Sequence, residues 1–467
     1  MRSPAVMPGF LFVRLAWLGY CALLLPQVSL RVTIMKKSII IFAVMAVFSA
    51  ILLVDQQSQG RLAPSSGGPK TYMKGNLHTH SLWSDGDDYP DMIGDWYKTH
   101  GYQFLALTEH NLIAEGEKWK EAYKGDTPRA KALEKYQKRF GDKWVQVREM
   151  NGKKEVRLKT LAECRQLLEE EGKFKFISAE EITHKFAKNP IHMNAINIQK
   201  AIKPVDGPSI RETIQVNLRN VQQQSNQNQK VAIGFLNHPN FQKTTPAEDM
   251  AACEELRYFE VYNGHPTVRN KGDKDVPSCE RLWDIANSLR IGKLNVPILY
   301  AVATDDSHTY HEYGLGKVNP GRGWVMVRSD KLKEEDLLMA MNRGDFYASN
   351  GVELEEVTFE NGTLSIKVKA QANVQYRTQF IGTLKGAVLD GKPVLDKDGQ
   401  PAVVSRTYGA DVGQVLNEVD GTNPIYKMNG RELYVRAKVI STKAHPNPAE
   451  KGDMETAWTQ PVVPLAK

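Results

Sequence analysis

From Lys70 onward the chain repeats one pattern, a short β-rich apolar run that stops at a histidine or a carboxylate. "TYMKGNL" stops at His78 and His80, "FLALTEH" at His110, and "FKFISAEE" at Glu180 and Glu181. "VAIGFLNH" stops at His238, "YFEVYNGH" at His265, and "PILYAVATDDSH" at Asp306 and His308. Two more runs, "HMNAINI" opening with His192 and "WVMV" from Trp324, make eight, six of which finish this way. Helical patterns separate the runs, which predicts an α/β domain. Pro90 opens one helix with Met92, Ile93, Trp96 and Tyr97 on its apolar face, and Gly101 stands where a C-cap glycine belongs. Thr245-Pro246-Ala247-Glu248 reads as a capping box. In a barrel of parallel strands, the C-terminal strand ends converge on one mouth. One buried histidine or carboxylate there is an ordinary structural feature. Some nine together need counter-ions, because desolvating them all is prohibitive. The pattern predicts a multi-metal centre.

The order His78-x-His80, Ser84-Asp85-Gly86, Thr108-Glu109-His110, Glu181, His192, His238-Pro239 and Asp306-x-His308 resembles the PHP family, the polymerase and histidinol phosphatase domain. The similarity spans residues 72–350 or so, within a domain placed at 70–350. The resemblance implies a distorted (β/α)7 barrel that hydrolyses a phosphate ester, as a histidinol phosphatase does, with two or three divalent metal ions. Carried over by position, His78, His80, Glu181 and Asp306 would hold a first ion. Glu181 would bridge to a second held by His192 and His238, and Asp85, His110 and His308 would hold a third. Imidazole and carboxylate without thiolate suit zinc, manganese or iron. His110 and His308 double as candidates to protonate the leaving group, so with the bridging Glu181 they form the expected catalytic set.

Softer candidates follow strand ends on the same side. Arg322, Lys243 and His265, with Asn263 and His311, are placed to grip a phosphate or support the ligands, and Arg322 suits a phosphate geometrically. His100, His184 and His445 offer no such reason. Glu109 stands where the family more often has aspartate, a difference expected to matter little. Residues 114–172, with "RAKALEKYQKRF" and "LKTLAECRQLLEEE", read as a charged, largely helical insertion. It is either a lid over the mouth or a solvated extension.

At 467 residues the chain has room for two or three domains. Its net charge of +7 is mild and interspersed, which argues against a nucleic-acid surface. Cys164, Cys253 and Cys279 match no zinc motif or disulfide framework, and Cys21 lies in the leader. That leader, residues 1–60, holds two apolar runs; the second starts Met-Lys-Lys at Met35, the favoured true start, and stays apolar through Val54. A charged start before an apolar run is a signal for export, to the periplasm or outside the cell. The run is also long enough to remain as an uncleaved membrane anchor. Membrane contact is expected through this segment alone, and the expected partner is a small phosphorylated substrate.

Beyond residue 350 the texture turns all-β. "VTFENGTLSIKVKA" is a hairpin signal at Asn361-Gly362, "ELYVRAKVIST" alternates, and residues 351–467 read as a small β-sandwich packed on the barrel. Two rival functions stand beside phosphoester hydrolysis. An amidohydrolase-like enzyme would cleave another bond on similar ions, but it relies on a bridging lysine that no strand end supplies here. A non-catalytic surface-binding protein on the same scaffold predicts missing ligands, and none is missing.

Overall fold

The computed structural model describes residues 71–464 apart from 243–244, 396–397 and 400, with the backbone alone for 401–405. Strand β1 (Thr71–Asn76) runs into the His78 loop, followed by helix α1 (Pro90–Thr99) and β2 (Phe104–Leu107). Pro90 starts α1 because it has no N–H to leave unpaired, and Gly101 ends it at φ 77°. The insertion then supplies β3 (Trp119–Glu121), a 3-10 turn (Pro128–Lys131), α2 (Ala132–Phe140), β4 (Val147–Met150), β5 (Lys153–Arg157) and α3 (Leu161–Leu168). The expectation of a largely helical insertion is corrected, since β3, β5 and β4 form an antiparallel sheet. The turn between β4 and β5 is Asn151-Gly152, both at positive φ, an Asn-Gly hairpin signal hidden among charged residues. The insertion is bound down along α1. Tyr136 stacks on Tyr89 at 4.3 Å and donates to Asp91 at 2.6 Å, and Arg139 pairs with Asp95.

The chain continues with β6 (Lys175–Phe186), β7 (Asn189–Ile196), α4 (Ile210–Asn228), β8 (Ile233–Leu236), α5 (Ala247–Ala252), β9 (Tyr258–Asn263), α6 (Cys279–Leu289) and β10 (Tyr300–Thr304). Next come β11 (Trp324–Ser329), α7 (Glu334–Asn342) and β12 (Phe346–Ser349). The expected capping box at α5 does not form: the helix has Pro246 as N-cap with no side-chain cap, and the Thr245 N–H bonds Pro239 instead. Seven strands lie in the order β10-β9-β8-β7-β6-β2-β1. They are not all parallel, as expected from sequence, because β7 runs antiparallel to both β6 and β8. Only Ala187 and Lys188 join β6 to β7, and two residues permit a hairpin but no crossover. Beyond their strands, the first and last members meet at a parallel bridge between Thr79 and Ser307, flanked by His80 N–H to Ser307 and Asp306 N–H to His78, both 3.0 Å. Met73, Phe104, Ile177, Ile233, Phe235, Tyr258 and Val302 share one buried cluster with Leu337, Leu338 and Met341 of α7. That cluster gives the loops beyond the strand ends a rigid base.

The C-terminal strands are β13 (Leu354–Glu360), β14 (Thr363–Val368), β15 (Tyr376–Leu384), β16 (Lys392–Leu395), β17 (Pro401–Thr407), β18 (Gln414–Asp420), β19 (Ile425–Lys427), β20 (Glu432–Ala444) and β21 (Met454–Thr459). Asn361 and Gly362 both take positive φ between β13 and β14, as the hairpin signal requires. The sheet β13-β14-β19 meets β15 through the Phe380 and Tyr426 rings at 5.4 Å. These strands are not detached from the preceding ones. The large sheet runs on from β1 through β11, β12, β21, β20 and β15 to β18, so its second half is a continuation of the first. Backbone pairing crosses the expected boundary at Asn350, because β21, last in sequence, pairs with β12. Among the described residues no helix is long and apolar enough to cross a membrane. The expected leader, 1–60 with its start at Met35, lies outside the described residues.

Candidate metal centre

All nine expected ligands come together in four overlapping groups, with ligand atoms in each within 4.8 Å of one another. One group is His78, His80 and Glu181; a second is His78, His238 and Asp306; a third is Glu181, His192 and His238. The fourth joins His80, Asp85, His110 and His308. Glu181 sits at the junction. Its Oε1 lies 3.1 Å from His192 Nδ1, 3.5 Å from His238 Nε2 and 3.6 Å from His78 Nε2. Its Oε2 lies 2.8 Å from His110 Nδ1 and 3.5 Å from His80 Nε2. Asp306 Oδ1 faces His78 Nε2 at 3.2 Å and His80 Nε2 at 3.3 Å. Asp85 faces His110 and His308, each at 3.3 Å, from a half-exposed position that leaves this group open to solvent.

These separations suit a shared cation. Metal–ligand bonds of about 2.0–2.2 Å place neighbouring ligand atoms roughly 3–3.5 Å apart. Nε2 of His78 and of His80 are buried without a properly formed hydrogen bond, although carboxylate oxygens stand opposite both. Such atoms cost stability unless something else satisfies them. Burial would push the Glu181 carboxyl up, but the surrounding imidazoles, His192 and His78 foremost, outweigh it and hold the group well below the carboxylate range. Asp306 behaves likewise against His78 and His80. Both are therefore anionic. Asp306 and His238 also take positive φ, 50° and 24°, backbone that a β-carbon makes costly and that aims each side chain inward.

A second layer fixes the ligands. Glu260, buried on β9, accepts from His78 Nδ1 at 2.7 Å, so the Nε2 lone pair of that ring faces the centre. Glu260 also accepts from the His238 N–H at 2.6 Å, Asn263 at 2.8 Å and Thr304 at 2.6 Å. Asn237 donates to Glu181 at 2.8 Å and Asn263 to Asp306 at 3.1 Å. Asp305 accepts from Tyr97 at 2.7 Å and from the N–H groups of Gly321, Arg322 and Gly323. Sequence reading missed Glu260 and Asn237. The available signal was an acid inside the apolar run "YFEVYN", where an unpaired charge could not stay buried. Glu109 also matters more than expected, since it accepts from Ser81 and Ser84 and so shapes the loop that presents Asp85.

Among the phosphate candidates, Arg322 is corrected. Its guanidinium is buried and spent on the carbonyls of Gly264, Lys317, Gly314 and Asn447, with no donor left for a substrate. His265 lies at the rim, its ring centroid 5.9 Å from that of His308. Burial, with positive neighbours, draws its pKa down to about 4 despite Asp306. His311 is turned towards Asp87, whose carbonyl is 3.0 Å from its Nε2. Lys243 lies outside the described residues. Glu180 lies in none of the four ligand groups, accepts from the Ile202 N–H at 2.5 Å, and is raised by burial to about 7.

No protein-family model matches the chain, and no curated protein does. Solved structures show slight likenesses. A two-domain protein from Bacteroides vulgatus, described as containing a predicted PHP-like metal-dependent phosphoesterase, is 15% identical over 81% of this chain and 94% of that one, with TM-score 0.34. A protein from Bifidobacterium adolescentis, described as an inferred metal-dependent phosphoesterase, is 12% identical over 58% of this chain and 96% of that one, with TM-score 0.30. An amidohydrolase from Chromobacterium violaceum, with sulfate bound and no metal, is 13% identical over 50% and 87%, with TM-score 0.25. Likenesses this slight assign no function to the chain.

Proposed function

We propose that the protein is a metal-dependent phosphoesterase of the PHP type, built on a distorted seven-stranded barrel closed between Thr79 and Ser307. The observation that carries this is the convergence of nine histidines and carboxylates whose facing atoms are spaced as ligands of shared cations. The phosphoester class comes from the order of the motifs along the chain. Two or three divalent ions would be held by the four groups, and when bound they supply Lewis-acid stabilisation of phosphoryl charge and an acidified water. The chain's own part is to place charge. Glu181 offers one oxygen to each side of the centre, and Glu260 keeps the His78 lone pair pointed inward. His110 and His308, held on either side of Asp85, are the groups placed to move a proton at the leaving oxygen when Asp85 is not shared with an ion.

Elemental analysis of protein purified without chelator should find two or three zinc, manganese or iron ions per chain. A phosphoester panel covering sugar phosphates, nucleotides, histidinol phosphate and a diester should then show turnover that chelation abolishes and metal restores. Less than one ion per chain under replete conditions would sink the reading, and turnover of amides alone would redirect it to the amidohydrolase kind.

The site is further proposed to work outside the cytoplasm, because the Met35 segment reads as an export signal. N-terminal sequencing from the native host should find a start after Val54, or an anchored chain in the membrane fraction. An intact cytoplasmic chain from Met1 would refute this.

A further inference from the structure

The ligand groups face inward with charge and imidazole, so the phosphoryl half of an ester belongs among them. What the alcohol half meets is decided at the rim, by the loops after β8 and β9. The Phe241 ring lies 4.9 Å from that of His238 and 6.2 Å from that of His192. Among the described residues it is the one aromatic ring, other than an imidazole, that meets the ligand histidines. The His265 ring stands edge-on to Phe241 at 5.9 Å and edge-on to His308 at the same distance. Both side chains are partly exposed.

The rim is stiff. Phe241 forms an antiparallel bridge with Val268, and its N–H bonds the His238 carbonyl at 2.8 Å. Asn240 donates to the carbonyls of Arg269 and Pro277, at 3.0 and 2.8 Å. The Thr267 N–H points at His265 Nδ1 at 3.2 Å, so that nitrogen is an acceptor and the neutral ring carries its proton on Nε2. A fixed donor and an aromatic face therefore stand side by side against the ligand groups.

We propose that Phe241 and His265 form the subsite for the alcohol half of the substrate, and that it takes a planar apolar group, aryl or heteroaryl. The inference rests on the phosphoesterase reading. Phe241 would pack against the ring in an offset or edge-on arrangement, and His265 Nε2–H would donate to a non-bridging phosphoryl oxygen at the edge of this subsite. Binding of phenylphosphonate and methylphosphonate to metal-loaded protein, measured by calorimetry, tests the subsite without turnover. Phenylphosphonate should bind at least tenfold tighter; the ratio should fall below threefold in Phe241→Ala and persist in Phe241→Tyr. His265→Ala should weaken both probes by threefold or more, with metal content measured on every variant to confirm an intact centre. Equal affinities in the unmodified protein, or a ratio that survives Phe241→Ala, would overturn the subsite. An unchanged affinity in His265→Ala would overturn the donor assignment. The expected ratio in a protein that turns over no phosphoester would instead overturn the phosphoesterase reading alone.

Discussion

Glu181→Gln should lose at least a hundredfold in phosphoester turnover and most of the bound metal, while the chain stays folded. The carboxylate divides its two oxygens between His192, His238 and His78 on one side and His110 and His80 on the other. Asn237 donates to Oε1, so glutamine would keep its carbonyl oxygen there and turn its amide NH2 towards His110 and His80. An NH2 group donates hydrogen bonds and cannot ligate, so the junction between two groups is lost with one atom changed. Substituting supporting residues around a metal typically costs 10–100-fold in affinity or activity, and a shared direct ligand should cost more. The shape of the side chain is conserved and its neighbours are polar, so the melting temperature of metal-free protein should move little. Turnover near that of the unmodified protein with full metal content would show that Glu181 is not shared.

Much of this centre was legible because its ligands sit where strands end. His78, His80, His110, His238, Asp306 and His308 each follow an apolar run, and a run of that kind can be read without knowing its partners. Direction was not legible. Whether β7 runs with or against β6 depends on a two-residue turn at Ala187, which takes a positive φ that its residue type does not announce. Support was legible only in part, because a residue such as Glu260 acts through contacts far away in sequence, His78 above all. Arg322 shows the same limit from the other side. A strand-end arginine looks ready for phosphate, and only the tertiary structure shows four carbonyls already holding it. The sheet's continuation past Asn350 was hidden for a related reason. A pairing between β12 and β21 joins residues more than a hundred positions apart, and local alternation carries no trace of it.

That pairing changes what truncation after Asn350 should do. A sandwich merely packed on the preceding domain could be removed at some cost in stability, with the metal still bound. The contacts point to a larger effect. Removing residues 351–467 strips β21 from β12 and exposes an unpaired sheet edge, a ready template for aggregation. It removes Gln460, whose amide both donates to and accepts from the Ala301 backbone on β10, the strand that leads to Asp306 and His308. It uncovers Tyr262, which stacks on Trp458 at 5.8 Å. It also takes Asn447 from Arg322, so a buried guanidinium loses part of its shell, at about 1–3 kcal/mol or more for a charged group left short of partners. Arg322 in turn clamps Gly264, next to His265, and Gly314 and Lys317 in the loop beyond His308. The truncated chain should therefore be insoluble, or should unfold at much lower urea than the full chain and hold fewer ions. Expression at matched levels, followed by urea unfolding and elemental analysis of any soluble fraction, decides it. A soluble truncated protein with an unfolding midpoint close to that of the full chain and its metal intact would show that the first 350 residues stand alone.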